Sequence, residues 1–195
     1  MRPLPDIAAL APKPTNRLLD FTQYTRRMEF VKTYAWSIPC EEAITTMQTF
    51  CKNLFVLEVG AGLGLWAAYL KAAGVNIQAT DAFVKGQRPK KTNSYCAYLP
   101  TFTYIHQFEA EEAVKVFKPE VLFFNWPCYQ EDYAIRSLKA FKGDRLVYIG
   151  EGNGGCTADD AFHAELEHNW EEVNEVDIPQ WHYIHDRMHF FKRKA

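Results

Sequence analysis

Three stretches of this chain combine residue types that could do chemistry. The first is Glu58-Val-Gly-Ala-Gly-Leu-Gly64, with an acid, Asp81, a short way downstream. Alternating glycines let the backbone turn sharply and admit a ligand where a Cβ would block it. A carboxylate beside such a turn can accept hydrogen bonds from both hydroxyls of a ribose. The second stretch, Asn125-Trp-Pro-Cys-Tyr129, sets an amide among aromatic rings and suits a flat, π-faced acceptor. The third is a pair of late segments, Gly150-Glu-Gly-Asn-Gly-Gly-Cys-Thr157 and Trp181-His-Tyr-Ile-His-Asp186. They carry Glu151, His185 and Asp186, groups able to hold or move a proton. A histidine's ordinary pKa near ~6.5 suits it to that work at neutral pH.

The elements that must position these residues alternate between strand and helix. Phe55 to Val59 is an apolar run that reads as a buried strand; the glycines follow it, and Leu65 to Ala73 has a helical pattern. Val75 to Thr80 is a second strand, ending on Asp81. That is half of a doubly wound α/β domain, whose first strand–helix turn is where nucleotides bind. Further on, the pattern predicts strands over 103–106, 121–125 and 144–149 and helices over 109–117, 131–141 and 161–170. Strands over 172–178 and 188–192 close the chain. Ahead of the first strand, 18–33 reads as a helix with Arg26 and Arg27 on a solvated face. Pro39 ends any preceding helix, and Glu41-Glu42 suit the first turn of one reaching Phe50. Between Asp81 and the third strand the pattern breaks: 83–102 reads as a long loop. Its Lys85, Arg88, Lys90 and Lys91 could contact the phosphates of a nucleic acid, or the loop could be a solvated insertion.

The glycine spacing narrows the cofactor. A dinucleotide fingerprint places glycines at its first, third and sixth positions, and the sixth here is Leu65, which sets NAD chemistry aside. Glu58-Val-Gly-Ala-Gly-Leu-Gly64 resembles instead motif I of the class I S-adenosylmethionine-dependent methyltransferases. The resemblance implies a doubly wound, mostly parallel seven-stranded α/β sheet with a C-terminal antiparallel hairpin, and S-adenosylmethionine as cofactor. It implies that Gly60, Ala61, Gly62 and Gly64 line the cofactor, with Glu58 beneath the loop, Asp81 on the ribose and Ala82 and Phe83 beside it. Trp36 would close over the methionine end, with core packing as the alternative.

Asn125 to Tyr129 resembles the motif with which amino-directed members hold their target. Aligned on Pro127 and Tyr129, however, its polar first position is Trp126 and its second proline is Cys128. The resemblance implies that Asn125 borders cofactor and acceptor and that Trp126 and Tyr129 wall the acceptor; core packing is the alternative for both rings. In the family's topology the turn between the last two strands falls on the same rim, which makes His185 and Asp186 candidate bases. A rim hydrogen bond is the alternative for each. Zinc bound by His182, His185 and His189 is conceivable by count, but His189 falls inside the last strand, so no metal is expected. The chain also looks like a group of short methyltransferase-like proteins sharing Tyr-x-Trp-x-Ile-Pro, Trp-Pro-x-Tyr and Ile-Pro-Gln-Trp segments, which points to no particular substrate.

Composition bounds the rest. The 195 residues, 48% hydrophobic and 15% aromatic, suit one packed domain. The expected organisation is a flexible arm over 1–16, which has four prolines, then N-terminal helices over 17–50 and a cofactor-binding domain over 51–195. A formal net charge of -2 gives no overall pull toward nucleic acid or an acidic membrane. Five scattered cysteines without a CxxC suit reduced thiols in the cytoplasm, and no leader-like or membrane-spanning apolar run is present. Two functions follow. One is methyl transfer to a nitrogen or oxygen of a small molecule or nucleobase. The other is a non-catalytic module that binds the cofactor or a related nucleoside as sensor or partner subunit. The polar, aromatic rim favours the enzyme, since a bare binder needs no acceptor pocket.

Overall fold

The computed structural model describes residues 1–12, 21–83 and 99–195. Apolar strands alternating with amphipathic helices bury themselves best as helices on both faces of a mostly parallel sheet, and the chain takes that form. In order it runs α1 (Phe21–Thr33), α2 (Glu41–Phe50), β1 (Val56–Val59), α3 (Leu65–Ala72), β2 (Ile77–Asp81), β3 (Ile105–Gln107) and α4 (Ala110–Phe117). It continues with β4 (Val121–Asn125), α5 (Tyr133–Ala140), β5 (Arg145–Gly150), α6 (Asp160–Asn169), β6 (Trp170–Asp177) and β7 (Arg187–Arg193). The strands form one sheet in the order β3-β2-β1-β4-β5-β7-β6. The first five pair in parallel, and β7 is inserted antiparallel between β5 and β6.

Coverage of both faces explains why β4 reads as an unbroken apolar run. Successive strand residues point to opposite faces. Val121 and Phe123 pack with Met47, Trp66 and Leu70 on the α2–α3 side. Leu122 and Phe124 pack with Val114, Leu138 and Phe162 on the side of α4, α5 and α6. α2 carries Glu41 and Glu42 in its first turn and buries Ala43, Ile44 and Met47. α6 is capped by Asp159, whose side chain accepts from the Phe162 N–H at 3.0 Å.

The strand order reverses between β1 and β4, and doubly wound sheets open a crevice at the carboxyl ends of the strands flanking such a reversal. Gly60 leaves β1 at that point and Asn125 ends β4 beside it. Because β6 runs parallel to β5, the β6–β7 turn returns to the same rim.

Several boundaries differ from the sequence pattern. β3 begins at Ile105 instead of Thr103, since the preceding Phe102 gives its N–H to Leu63 O (2.9 Å) and is held on the glycine loop. α5 begins at Tyr133 instead of Glu131, its first backbone bond running from the Arg136 N–H to Asp132 O (3.0 Å). Residues 1–12 of the expected loose arm lie against the domain. Arg2 gives its backbone N–H to Thr101 O (2.9 Å) and its guanidinium to Thr33 O (2.6 Å), the Tyr69 hydroxyl donates to Pro5 O (2.5 Å), and Leu10 is buried. The basic 85–91 stretch falls outside the described residues, as do Cys96 and the predicted start of the first helix at Leu18. The described cysteines are all free thiols. Among the described residues no helix is long and apolar enough to cross a membrane.

Candidate functional site

The loop after β1 is built from backbone that side chains oppose. Gly60, Gly62 and Gly64 stand at φ 72°, 58° and 70°, in the left-handed region. A Cβ on Gly64 would lie 2.6 Å from Ile105 Cδ1 and 2.8 Å from Thr103 Cγ2, so this glycine is demanded by packing. A Cβ on Gly62 would meet nothing within 4 Å, so the loop presents bare backbone there. Asp81 completes the loop from β2: one carboxylate oxygen accepts from the Gly62 N–H (2.9 Å) and the other from the Phe83 N–H (2.9 Å).

Beneath the loop a polar chain crosses the crevice. The Trp66 indole donates to Ser37 Oγ (2.8 Å), and Ser37 Oγ donates to Asn125 Oδ1 (2.5 Å). With its oxygen taken by Ser37, Asn125 has its NH2 on the side of Glu58. Glu58, fully buried on β1, has no hydrogen-bond partner of ordinary geometry on either carboxylate oxygen. Burial pushes its pKa up to about 8; the neighbouring Asp81 charge adds to this, while the Ala67 amide, Asn125 and Lys71 oppose it. The Ala67 amide and Asn125 therefore act on Glu58 by proximity, without closing a normal bond to it. Tyr133, at the start of α5, places its hydroxyl under Gly60 and accepts from the Cys128 N–H (3.1 Å).

The outer rim carries an aromatic and charged cluster. Trp126 stands at φ 54°, a region that bulky residues rarely adopt. Its N–H is tied to Ile149 O (2.7 Å) and its ring lies nearly parallel to that of Trp36, 5.9 Å between centroids and 11° between planes. The Arg27 guanidinium lies 5.3 Å from the Trp36 centroid and 5.5 Å from that of Trp126. Burial lowers the Arg27 pKa, and the charges of Asp186 and Glu151 oppose that shift. Glu151 accepts from the Cys156 N–H (2.8 Å) and the His185 N–H (2.9 Å), so one side chain joins the glycine-rich loop after β5 to the β6–β7 turn. Behind it, the Tyr148 hydroxyl bridges Thr157 Oγ1 (2.5 Å) and Glu151 O (2.7 Å). A Cβ on Gly150 would lie 2.4 Å from that hydroxyl. Asp186 is 2% exposed and its Oδ1 has no partner. Burial pushes its pKa up to about 7; its own backbone N–H opposes this, the Glu151 charge adds to it and Arg27 opposes it.

No protein-family model matches the sequence, and no curated protein matches it. Solved structures do match by shape. The magnesium protoporphyrin IX methyltransferase of Synechocystis, with bound S-adenosylmethionine, superposes at a TM-score of 0.52 and 14% identity, over 92% of this chain and 100% of that one. The 1,6-didemethyltoxoflavin-N1-methyltransferase of Burkholderia thailandensis, with its substrate and S-adenosylhomocysteine, gives 0.53 and 15%, over 93% and 94%. This chain has the class I methyltransferase fold.

On that fold the predicted residues fall into two groups. Gly60, Ala61, Gly62, Gly64, Asp81, Ala82 and Phe83 form the loop and its β2 anchor, with Glu58 below. Asn125, Trp126, Trp36 and Asp186 lie at or beside the crevice rim. Two candidates stand apart: Tyr129 is 55% exposed, and His185 has an exposed ring whose residue reaches the cluster through its backbone N–H. His189 sits in β7, bonded to Glu172 (2.7 Å), and the group it could form for a metal is with Glu172 and Glu175, not with His182 and His185. Arg27, Ser37 and Tyr133 were not legible as site residues from sequence. Arg27 did leave a signal: it lies one helical turn before Val31, which is fully buried, so the two share a face.

Proposed function

We propose that this chain transfers a methyl group from S-adenosylmethionine to a nitrogen or oxygen of an acceptor, a small molecule or a nucleobase. The reading rests on one observation above the others, the Asp81 carboxylate bonded to bare loop backbone at Gly62, at the point where the strand order reverses. These residues suit the cofactor: Asp81 sets a carboxylate, the chemistry that recognises ribose hydroxyls, beside the loop, and Gly62 leaves room for close approach. Gly60, Ala61, Gly64, Ala82, Phe83 and Asn125 would hold it from the sides, Glu58 would support the loop from below, and Trp36 would border it. When bound, S-adenosylmethionine supplies a methyl group activated by an adjacent sulfonium.

The chain's own share is alignment and proton handling. An in-line displacement needs the reacting atoms held near contact distance and collinear, which is worth much of the barrier by itself. Trp36, half-buried at the rim, offers a flat face to orient the acceptor, with the buried Trp126 ring stacked against it. Where the acceptor is protonated, Asp186 is suited to take the proton on Oδ1, since a base titrating near the working pH is the most effective. A module that only bound a nucleoside would gain nothing from a buried carboxyl with an unpartnered oxygen at its rim, which favours the enzyme.

Calorimetric titration of S-adenosylhomocysteine tests the reading. Asp81→Ala should weaken binding by about tenfold to a hundredfold, the worth of charge-assisted hydrogen bonds. Unchanged affinity, or a preference of the wild-type chain for NAD, would sink it.

A further inference from the structure

We propose that one face of the β6–β7 hairpin holds a divalent transition-metal ion of the zinc class, ligated by His189, Glu172 and Glu175. The inference goes beyond the methyl-transfer reading and is independent of it, since these residues lie along the edge hairpin and not in the crevice. Its starting point is three ligand atoms, one from each side chain, that all lie within 4.8 Å of one another. His189 Nδ1 is 2.7 Å from Glu172 Oε1 and 3.4 Å from Glu175 Oε2. An imidazole nitrogen with two carboxylate oxygens is a donor set that suits zinc. At bond lengths of about 2.0–2.2 Å, tetrahedral ligand atoms stand about 3.3 Å apart. Glu175 is therefore already in place, and Glu172 has to withdraw by only about 0.6 Å to make room for the ion. Both glutamates are exposed and free to make such an adjustment, while the half-buried imidazole is steadied between the Tyr148 and Phe191 rings.

What gathers the three side chains is an irregularity in the edge strand. Alternate residues of a strand share a face, so Glu172 and Glu175, three apart, belong on opposite faces of a regular β6. The register shifts between Glu172 and Asn174: Glu172 pairs with Phe191, Asn174 with Phe190 and Glu175 with His189. Val173 is the extra residue, and it brings both glutamates to the face of Phe191 and His189, as bulges re-aim side chains. Any bulge or charge blunts an edge strand; this one also sets two carboxylates around one ring nitrogen. Arg187 orients the nearer of them. It holds Glu175 Oε1 and is itself bonded to Asp177 (3.0 Å), which leaves Glu175 Oε2 turned to His189. Charge agrees with the geometry. Glu172, Glu175 and Asp177 meet a single guanidinium, Arg187, so around a neutral imidazole the excess is negative and attracts a cation.

The test is calorimetric titration of zinc chloride into the full chain, carried without a histidine tag, with magnesium chloride as the comparison. Zinc should bind at one equivalent with a Kd of about 100 µM or tighter, and magnesium, which prefers oxygen ligands alone, about tenfold or more weaker. His189→Gln should lower zinc affinity by about tenfold or more, and so should Glu172→Gln combined with Glu175→Gln, two exposed positions that do not threaten the fold. Cys128 and Cys156 are exposed thiols, which zinc also favours, so Cys128→Ser/Cys156→Ser is titrated alongside and should bind as the wild type does. No zinc binding by the wild-type chain would overturn the proposal, a result that needs no variant to fold. So would binding that survives His189→Gln, binding lost with the two cysteines, or magnesium bound as tightly as zinc.

Discussion

Glu58→Gln isolates the most unfavourable group in the molecule. Glu58 is fully buried on β1, and neither carboxylate oxygen has a hydrogen-bond partner of ordinary geometry, although the Ala67 amide and Asn125 lie close enough to act on it. Burial, reinforced by Asp81, raises its pKa from 4.5 to about 8. A carboxyl whose pKa is higher in the folded state binds its proton more tightly there. Its contribution to stability is therefore complete below about pH 4.5 and declines as pH rises toward 8, where the fold must hold a buried charge. At 1.36 kcal/mol per pKa unit, the loss relative to acid conditions is roughly 1 kcal/mol at about pH 5 and ~4–5 kcal/mol above about pH 9. Glutamine keeps the shape and cannot ionise, so the stability of the variant relative to wild type should climb by about that amount across the range. The assay is urea unfolding followed by tryptophan fluorescence at several pH values, with the wild-type curve subtracted so that other carboxylates cancel. Stability profiles that run parallel from about pH 5 to 9 would show that Glu58 titrates normally and that the buried, unpartnered environment has been misread.

Other perturbations probe the loop and the rim. Gly64→Ala should destabilise the fold by about 1–3 kcal/mol, read as a lowered urea midpoint, because its Cβ would strike Ile105 and Thr103 at an already left-handed φ. Gly62→Ala, with open space around its Cβ, should cost only about 1 kcal/mol of stability yet weaken S-adenosylhomocysteine binding measured by calorimetry. For an acceptor that must lose a proton, the wild-type rate should rise with pH and level off above about 7, as Asp186, faced by Glu151 and Arg27, gives up its own proton. Asp186→Asn should abolish that rise and slow single turnover by about 10²–10⁴-fold. His185→Ala should leave the profile intact, since its ring is exposed and it is the backbone N–H that reaches Glu151.

What could be read from the sequence and what could not divides along the range of the contacts involved. The β1 run, the three glycines, α3 and Asp81 lie within one βαβ unit, so hydrophobic period and turn chemistry announce them locally. The β5–β7–β6 hairpin came from family resemblance, because period alone cannot say which strand is inserted beside which. The rim was only partly legible. Arg26 and Arg27 are adjacent and look alike in sequence, yet Arg27 is the one turned inward, against rings at positions 36 and 126. The Ser37–Asn125 bond spans 88 residues, so no local pattern near Ser37 could betray it. Tyr129 and His185 illustrate the converse. Each has a suitable side chain at a suitable distance along the chain, but backbone direction decides where a side chain ends up, and Gln130 at φ 58° and Tyr183 at φ 62° turn the chain beside them. The same irregular backbone that hid these placements is what aims Trp126 inward at φ 54°. Local rules therefore fail at this rim for a physical reason: the site is assembled from residues held in conformations that only the tertiary fold can impose.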